Sequence, residues 1–360
     1  MIPWSRFVEI VRRHRRFLLT THIRPDGDAL GSELAMAAIL ESLGKDVLIC
    51  NAFPVPPNLE FLDPSRKLHQ LGGDMSPDRF GDREVLIILD TTAWAQLGTM
   101  TEVVKTTKAV KTVIDHHVSQ DDLGAELFKN TDAEATGRLV VEAADQLGVA
   151  LTPEIARPAY VALATDTGWF RFASTTADTL RLAARLVEAG ALPDHIYKNL
   201  YETDSHARLQ LMGQAFVRSH TELSGSLIYT WLTQSDFTAS GALPSDSEDV
   251  INMTLAVRGT RVAVILVEQP TGGFKVSLRS RCNVDCSAVA EQFGGGGHKK
   301  AAGAFLNEPL DSALPRILAA VRSAMQTSGN VPMVESASDG NGVADSTAKA
   351  RKAATAEPCR

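Results

Sequence analysis

Short apolar runs alternate with longer stretches of helical periodicity in the first half of the chain, and this alternation limits the fold more than any other feature. Such runs, bounded by polar residues, indicate buried strands, whereas apolar residues three and four apart indicate helices. The predicted strands cover residues 17–21, 47–50, 85–89 and 112–114, and the predicted helices cover residues 29–43 and 134–147. Strands and helices in alternation predict an α/β fold with a mostly parallel sheet flanked by helices.

The second half contains further helices and then a second set of strands. Helical patterns cover residues 153–166, 176–188 and 194–218, and Pro158 should kink the first of these helices or delay its start. Strand patterns follow at residues 227–232, 262–268, 274–278 and around 304, with helices at 287–293 and 310–325. This second set predicts a smaller C-terminal α/β domain.

These elements divide the chain into two domains and a tail. We predict an N-terminal domain over residues 1–190, a helical linker over 191–218 and a C-terminal domain over 219–327. Residues 328–360 contain no Leu, Ile or aromatic residue. Because such a segment buries too little apolar surface to offset the entropy of ordering, we predict a disordered tail.

Composition and charge exclude several classes of protein. The formal net charge of −7 over 360 residues argues against a protein that coats long nucleic acid through a positive field. The four cysteines are irregularly spaced, which indicates a reducing compartment rather than a disulfide framework. No apolar run approaches the roughly 18 residues of a membrane helix, and the N-terminus lacks the apolar core of a signal peptide. We therefore expect a cytoplasmic protein that has no contact with a membrane.

Acidic residues and histidines follow the ends of four predicted elements. They are His22, Asp26 and Asp28 in the first segment, Asp90 in the second, Asp115, His116 and His117 in the third, and Asp166 in the fourth. In α/β sheets, ligands gather beyond the carboxyl ends of the strands. We therefore expect these side chains to share one edge of the sheet, where their negative charge must be neutralised by cations.

Divalent metal ions are the cations that suit these side chains. Oxygen and imidazole ligands without thiolates favour Mn²⁺ or Mg²⁺ over a structural zinc ion, and the imidazoles favour Mn²⁺. Two ions roughly 3.5–4 Å apart clamp the attacking and leaving oxygens of a phosphoryl displacement, and they share a carboxylate. Asp90, alone at the tip of a central strand, is the candidate for the shared ligand. Any one segment is more typical of a cap or turn, but caps do not explain all four together.

The four segments resemble the motifs of the DHH phosphoesterase family in order and in separation, over about residues 15–190. The resemblance implies that His22, Asp26 and Asp90 bind one Mn²⁺, and that Asp28, Asp90, His116 and Asp166 bind a second, with Mg²⁺ as the alternative ion. It also implies that Asp115 orients the histidines and that His117 faces the scissile phosphate.

A glycine-rich segment of the C-terminal domain is the second informative feature. Four consecutive glycines let backbone N–H groups approach an anion, and the following His298 and two lysines add donors and charge. Upstream, Arg279 ends a predicted strand, where its guanidinium can hold a phosphate with two hydrogen bonds. The candidate substrate-binding residues are Arg279, Ser280, Gly295, Gly296, Gly297, His298, Arg258 and, after the fourth motif, Arg171.

This segment resembles the DHHA1 substrate-binding domain, whose signature is a glycine-rich stretch ending in G-G-G-H. The pairing of the two domains is similar to the oligoribonuclease and pAp phosphatase branch of the family. The resemblance implies Mn²⁺-dependent hydrolysis of oligoribonucleotides of two to about five nucleotides, or of 3′-phosphoadenosine 5′-phosphate (pAp). Short RNA or a nucleotide is then the expected partner, long duplexes are not expected, and a homodimer is expected only by analogy with relatives.

The sequence leaves several other functions open. A phosphodiesterase of the same family that acts on cyclic or linear dinucleotides would share every residue named above. Pyrophosphatases with DHH motifs lack the glycine-rich ending, and an exonuclease for long single strands would need more chain and more positive charge. A catalytically silent nucleotide-binding module is the alternative of a different class, and it would be expected to lack a metal ligand, whereas none is missing here.

Overall fold

The computed structural model describes residues 2–328, which divide between Thr203 and Asp204 into two compact units. Apart from Ser328, the predicted tail lies outside the described residues. The stretch predicted to be helical over residues 194–218 forms two helices, interrupted at residues 202–205. The domain boundaries drawn from the sequence stay predictions.

The first unit contains a six-stranded sheet in which every pairing is parallel, which confirms the predicted α/β class. Its strands are β1 (Arg16–Thr20), β2 (Asp46–Asn51), β3 (Leu68–Gln70), β4 (Val85–Leu89), β5 (Val110–Asp115) and β6 (Glu126–Lys129). They lie in the order β3-β2-β1-β4-β5-β6. The chain runs outward from β1 to β3 and then returns to the other side of β1, so that β1 and β4 form the topological switch point at which such sheets bind ligands.

Helices cover both faces of this sheet. They are α1 (Trp4–Arg13), α2 (Gly27–Ser42), α3 (Met100–Thr106), α4 (Thr136–Leu147), α5 (Pro153–Asp166), α6 (Ala177–Glu188) and α7 (Pro193–Tyr201). Successive side chains of a strand point to opposite faces. Phe17 and Leu19 of β1 accordingly belong to the core cluster of α1, α2, α4 and α5, while Leu18 belongs to the cluster that contains α3. Burial on both faces explains why these strands read as continuous apolar runs.

Helices α2 and α5 pack closely because glycine lies at their contact. A Cβ atom on Gly31 would lie 2.4 Å from the carbonyl oxygen of Pro158, and one on Gly27 would lie 2.6 Å from the hydroxyl of Thr165. Pro158 lies inside α5, which nevertheless begins at Pro153, so the start of the helix is not delayed. This contact holds together the helix that Asp26 caps and the helix that ends at Asp166.

The second unit contains a mixed six-stranded sheet in the order β11-β12-β10-β9-β8-β7. Its strands are β7 (His220–Glu222), β8 (Leu227–Leu232), β9 (Val262–Glu268), β10 (Phe274–Ser280), β11 (Gly296–His298) and β12 (Ala301–Leu306). Its helices are α8 (His206–Val217), α9 (Gln234–Ser240), α10 (Val250–Leu255), α11 (Cys286–Glu291) and α12 (Leu310–Thr327). Only the β8–β9 pairing is parallel within this described sheet.

Alternation along β9 separates the two cores of the second unit. Val262, Val264 and Leu266 pack with α11 and α12, whereas Ile265 and Val267 pack with α8, α9 and α10. The predicted strands β8 and β9 are confirmed over their full lengths, because both combine an apolar run with β-branched residues. The sequence patterns missed the short edge strands β3, β6, β7 and β11, of which only β6 contains more than one apolar residue. Within residues 2–328, the structure has no helix with the length and apolar character needed to cross a membrane.

We predict that Gly31→Ala lowers the free energy of unfolding by about 1–3 kcal/mol, because the added methyl group collides with the Pro158 carbonyl. Urea denaturation followed by circular dichroism measures this change. Gly213→Ala in α8 is the matched control: nothing lies within 4 Å of its added Cβ atom, and the better helix propensity should raise stability by up to about 1 kcal/mol. Equal losses in the two variants would contradict the close contact.

Candidate metal centre and substrate-binding residues

Three groups of potential metal ligands gather at the carboxyl edge of the first sheet. The groups are His22, Asp26 and Asp90; Asp28, His116 and Asp166; and Asp90, His116 and His117. Within each group the ligand atoms lie within 4.8 Å of one another. Strands β1, β4 and β5 and helices α2 and α5 supply these residues from their ends. The structure therefore brings together all six residues that the sequence analysis selected as metal ligands.

Asp90 faces a histidine on each side. Its Oδ2 atom lies 3.3 Å from Nε2 of His22, and its Oδ1 atom lies 3.6 Å from Nε2 of His116. The strand order explains this arrangement, because β4 lies between β1, which precedes His22, and β5, which precedes His116. The backbone of Asp90 is left-handed, with φ of 62°. Strain of this kind costs about 1–3 kcal/mol and is typical of functional sites.

The rings of His22 and His116 are held in the same way. Nδ1 of His22 lies 2.9 Å from the carbonyl oxygen of Ile23, and Nδ1 of His116 lies 3.0 Å from that of Ala133. A carbonyl oxygen only accepts, so each Nδ1 donates its proton. In the neutral ring, Nε2 then carries the free electron pair and faces the carboxylates, which is the arrangement of a metal-binding histidine.

The surroundings of His22 favour a positive charge at this ring. Burial lowers the pKa of His22, but the hydrogen bonds to Asp90 and to the Ile23 carbonyl, together with the charges of Asp90 and Asp26, outweigh burial and raise the pKa to about 9. Without a metal ion, a proton therefore supplies the charge that these carboxylates require. A divalent cation can replace that proton.

The group of Asp28, His116 and Asp166 also requires a positive charge, because its carboxylates are crowded together. Burial, followed by the charges of Asp90 and Asp166, raises the pKa of Asp28 well above its usual value. The backbone N–H groups of Thr136 and Gly137 donate to Asp28 over 2.7 and 2.9 Å and partly oppose that rise. Both N–H groups belong to the first turn of α4, where the helix dipole also favours an anion.

Asp26 has a structural role in addition to its place in the first ligand group. Its Oδ1 atom accepts hydrogen bonds from the backbone N–H groups of Asp28 and Ala29, both over 3.0 Å, and so caps α2. The same oxygen lies 3.9 Å from Nε2 of His22. One carboxylate thus starts the helix and faces the predicted metal position.

A buried network beside the ligand groups includes two residues that the sequence analysis did not select, Thr92 and Lys129. Oδ1 of Asp115 accepts from the backbone N–H and from Nδ1 of His117, over 3.0 and 2.9 Å. Its Oδ2 atom accepts from the Thr92 hydroxyl and lies 3.1 Å from Nζ of Lys129, which also donates to the Ser119 carbonyl over 2.6 Å. Burial raises the pKa of Asp115, but these partners lower it to about 2.

This network orients only one of the two adjacent histidines. Asp115 holds His117, whereas the carbonyl of Ala133 holds His116, in contrast to the expectation that Asp115 orients both. Lys129 could have been found from the sequence if β6 had been predicted, because it is the last residue of that strand. The signal for Lys129 would have been a lysine at the carboxyl end of a parallel strand, next to acidic motifs.

Arg279 and His298 share one face of the second sheet. Both pair with Ala301 of β12, on opposite sides of that strand, and directly paired residues in an antiparallel sheet point to the same face. Ser280 points to the other face, where its hydroxyl donates to the Cys282 carbonyl over 3.1 Å. The geometry thus brings two of the predicted substrate-binding residues together and engages the Ser280 hydroxyl elsewhere.

The last two glycines of the run, Gly296 and Gly297, belong to the edge strand β11 rather than to an open loop. A Cβ atom on Gly295 would lie 2.2 Å from the Gly303 carbonyl oxygen, and one on Gly297 would lie 2.7 Å from that of Ala301. These two glycines therefore let β11 lie close to β12. Gly296, between them, has nothing within 4 Å of an added Cβ atom and is exposed. Gly294 has the same open surroundings, so two of the four glycines, and not the whole run, are as open as the sequence analysis expected.

The two remaining candidates lie in exposed turns. Arg258 lies between α10 and β9, in the second unit. Arg171 follows α5 in the first unit, and its Nε donates to the Gly168 carbonyl over 2.7 Å. Their roles in substrate binding stay predictions.

Comparison with known proteins identifies the class. Residues 16–163 match the DHH family, N-terminal domain, and residues 225–327 match the DHHA1 domain. The chain belongs to the DHH family and is a hydrolase of that family, which confirms the resemblance seen in the sequence.

Three individual proteins show how far this similarity extends along the chain. The chain is 34% identical to the bifunctional oligoribonuclease and PAP phosphatase NrnA of Thermus thermophilus, over 86% of this chain and 90% of the relative. It is 25% identical to the NrnA of the same description from Bacillus subtilis, over 84% of this chain and 93% of the relative. A crystal structure of an exopolyphosphatase-related protein from Bacteroides fragilis has the same fold, with a TM-score of 0.78 and 24% identity over 90% of this chain and 95% of that chain.

We predict that Lys129→Met destabilises the metal-free protein by about 3 kcal/mol at pH 7, because it leaves the Asp115 carboxylate buried without its cation. The pKa of Asp115 is about 2 in the folded protein, below the roughly 3.9 of an unfolded Asp. The stabilisation that the ionised Asp115 carboxylate contributes is therefore complete above about pH 4 and is lost as the pH falls towards 2.

Urea denaturation between pH 7 and pH 2.5 measures this dependence. The exposed Lys108, two residues before β5, provides the control Lys108→Met, which should match the wild type throughout. A destabilisation by Lys129→Met that is the same at every pH would argue against the pairing with Asp115.

Proposed function

We propose that the protein hydrolyses phosphoester bonds in oligoribonucleotides of two to about five nucleotides and in pAp, with two Mn²⁺ ions bound by the first unit. The observation that carries this proposal is the geometry of Asp90, whose two carboxylate oxygens face different histidines. The relatives called oligoribonuclease and PAP phosphatase support the choice of substrates.

The donor atoms fit a hard or borderline divalent cation. His22, Asp26 and Asp90 would hold one ion, and the second would be held by the set Asp28, Asp90, His116 and Asp166. Carboxylate oxygens and imidazole nitrogens suit Mn²⁺, with Mg²⁺ as the alternative, and no cysteine belongs to any of the three groups. Bound ions would activate a water molecule as the nucleophile and neutralise charge on the phosphoryl oxygens.

His117 is the residue that we expect to act on the substrate. Its Nδ1 donates to Asp115, which leaves Nε2 available, and its side chain is 49% exposed. The hydrogen bond to Asp115 raises the pKa of His117. A protonated ring at neutral pH can donate a hydrogen bond to the scissile phosphate or a proton to the leaving oxygen. Lys129 and Thr92 fix Asp115 and so hold this ring in place.

The second unit would bind a phosphate that is not the reacting one. Arg279 and His298 present a guanidinium and an imidazole on one sheet face, which suits a terminal phosphate. The open space beside Gly296 would leave room for that phosphate. The further candidates are Ser280, Gly295, Gly297, Arg258 and Arg171.

We predict that Asp90→Ala abolishes turnover, with a loss of about 10³-fold or more, because it removes the carboxylate shared by both ions. Product release from pAp, a diribonucleotide, a linear dinucleotide, a cyclic dinucleotide and pyrophosphate measures the effect, with and without Mn²⁺. Asp132→Ala is the matched control, because Asp132 is exposed and belongs to none of the ligand groups. A pronounced preference of the wild type for cyclic dinucleotides or pyrophosphate would refute the proposed substrates, and activity retained in Asp90→Ala would refute the metal assignment.

We predict that His117→Ala lowers kcat on pAp by about 10²-fold while both Mn²⁺ ions remain bound. Kinetics combined with calorimetric titration of Mn²⁺ separates the two effects. Loss of one Mn²⁺ per chain would instead make His117 a metal ligand, since it also forms a ligand group with Asp90 and His116.

A further inference from the structure

A row of hydrogen bonds between buried residues crosses the first unit beside the ligand groups. Glu33 lies on α2, Asn51 is the last residue of β2, and Thr21 directly follows β1. Nδ2 of Asn51 donates to Oε2 of Glu33 over 2.8 Å, and the backbone N–H of Thr21 donates to Oδ1 of Asn51 over 3.0 Å. The Thr21 hydroxyl donates in turn to the carbonyl of Leu89, the last residue of β4, over 2.8 Å. The row therefore joins α2 to three neighbouring strands.

This row ends next to two predicted metal ligands. Thr21 precedes His22 in the chain, and Leu89 precedes Asp90. Nε2 of His22 and Oδ2 of Asp90 lie 3.3 Å apart. The backbone pairing of β1 with β2 ends before Thr21, so the side chain of Asn51 supplies the acceptor that a strand carbonyl would otherwise supply. The position of the His22 backbone thus depends on a side chain outside the ligand groups.

Hydrophobic packing does not explain why Glu33 lies at this position. Its side chain is fully buried, and Oε1 has no hydrogen-bond partner in the part of the chain that the structure describes. A buried oxygen without a partner costs free energy, which a leucine at this position would avoid. Glu33 belongs to none of the three ligand groups. Its one strong contact, with Asn51, is therefore the reason that we seek for its presence.

This contact fixes the direction of the Asn51 amide. The oxygen and the NH₂ group of an asparagine have nearly the same shape, so their partners decide which way the amide points. Glu33 accepts from the NH₂ group, and Oδ1 then faces the Thr21 N–H and the Thr20 hydroxyl, which lies 3.4 Å away. In the reverse orientation the NH₂ group would face the Thr21 N–H, and neither group could accept.

We propose that Glu33 and Asn51 position the first metal site, because they hold the Thr21 backbone and thereby keep His22 at a fixed separation from Asp90. This inference rests on the proposed function, in which these two ligands share an Mn²⁺ ion. Removal of either positioning residue should weaken metal binding, because groups that orient metal ligands tune the affinity of the site. Substrate binding should not change.

The test measures Mn²⁺ binding by calorimetric titration, together with kcat and KM for pAp at saturating Mn²⁺. We expect Asn51→Ala and Glu33→Leu to raise the Kd of one Mn²⁺ ion about 10-fold or more, at unchanged KM for pAp. Glu33→Gln keeps an oxygen that accepts from Asn51 and should restore the Kd of the wild type. Burial raises the pKa of Glu33 to about 8, so the carboxyl group is mostly neutral at pH 7 and resembles a glutamine amide.

Two controls separate positioning from a loss of stability. Ile10→Ala removes buried apolar atoms on α1, which supplies no ligand, so it should lower the midpoint of urea denaturation and leave the Kd unchanged. Asn199→Ala, at an exposed position of α7, should change neither quantity. An equal rise of the Kd in Ile10→Ala would make the effect of Asn51→Ala a consequence of stability and overturn the proposal.

Two further results would overturn it: an unchanged Kd in Asn51→Ala and Glu33→Leu, or a Kd in Glu33→Gln as high as in Glu33→Leu. Failure of the proposed function is a separate result. If the wild type binds Mn²⁺ but does not hydrolyse pAp, the calorimetric comparison still applies.

If the wild type binds no Mn²⁺, crystal structures of the metal-free wild type and Asn51→Ala test the positioning directly. We expect the distance between Nε2 of His22 and Oδ2 of Asp90 to exceed 3.3 Å in the variant, and the same distance in both proteins would overturn the proposal.

Discussion

Repulsion among carboxylates at one edge of the first sheet is the constraint on which the rest of the site depends. Asp28, Asp90 and Asp166 lie close enough for burial and mutual charge to raise the pKa of Asp28 and of Asp166. A fold keeps such a cluster only if it supplies compensation. Here the compensation comes from the N–H groups of α4, from histidine rings whose Nε2 atoms face the acids and, in our proposal, from divalent ions.

The scaffold holds this cluster rigidly. Helices on both faces bury β1 and β4, and the close contact at Gly31 fixes α2 against α5, so the ends of these elements have little freedom. That rigidity sustains the left-handed backbone of Asp90, which directs its oxygens to either side. Asp115, Lys129 and Thr92 extend the same principle to His117, because the buried Asp115 carboxylate accepts from His117 on one oxygen and faces Thr92 and Lys129 with the other.

In the second unit, alternate residues of β10 have different roles: one set packs in a core and the other carries polar side chains. On β10, residues that point one way complete a core with α11 and α12, and Lys275, Ser277 and Arg279, which point the other way, line a groove together with α9 and α10. The glycines of β11 bring His298 alongside β12, in register with Arg279. Both features follow from strand pairing, which a run of glycines and a lone arginine do not reveal.

The sequence by itself determined the class of fold, the positions of β4 and α5 to the residue, and the identity of the acidic and histidine motifs, because apolar periodicity and motif chemistry are local properties. Tertiary structure decided which residues meet. The strand order places Asp90 between two histidines, the end of β6 brings Lys129 to Asp115, and the register of β12 puts Arg279 and His298 on one face. These are contacts between segments far apart in the chain, and they depend on pairing and packing that no local pattern encodes.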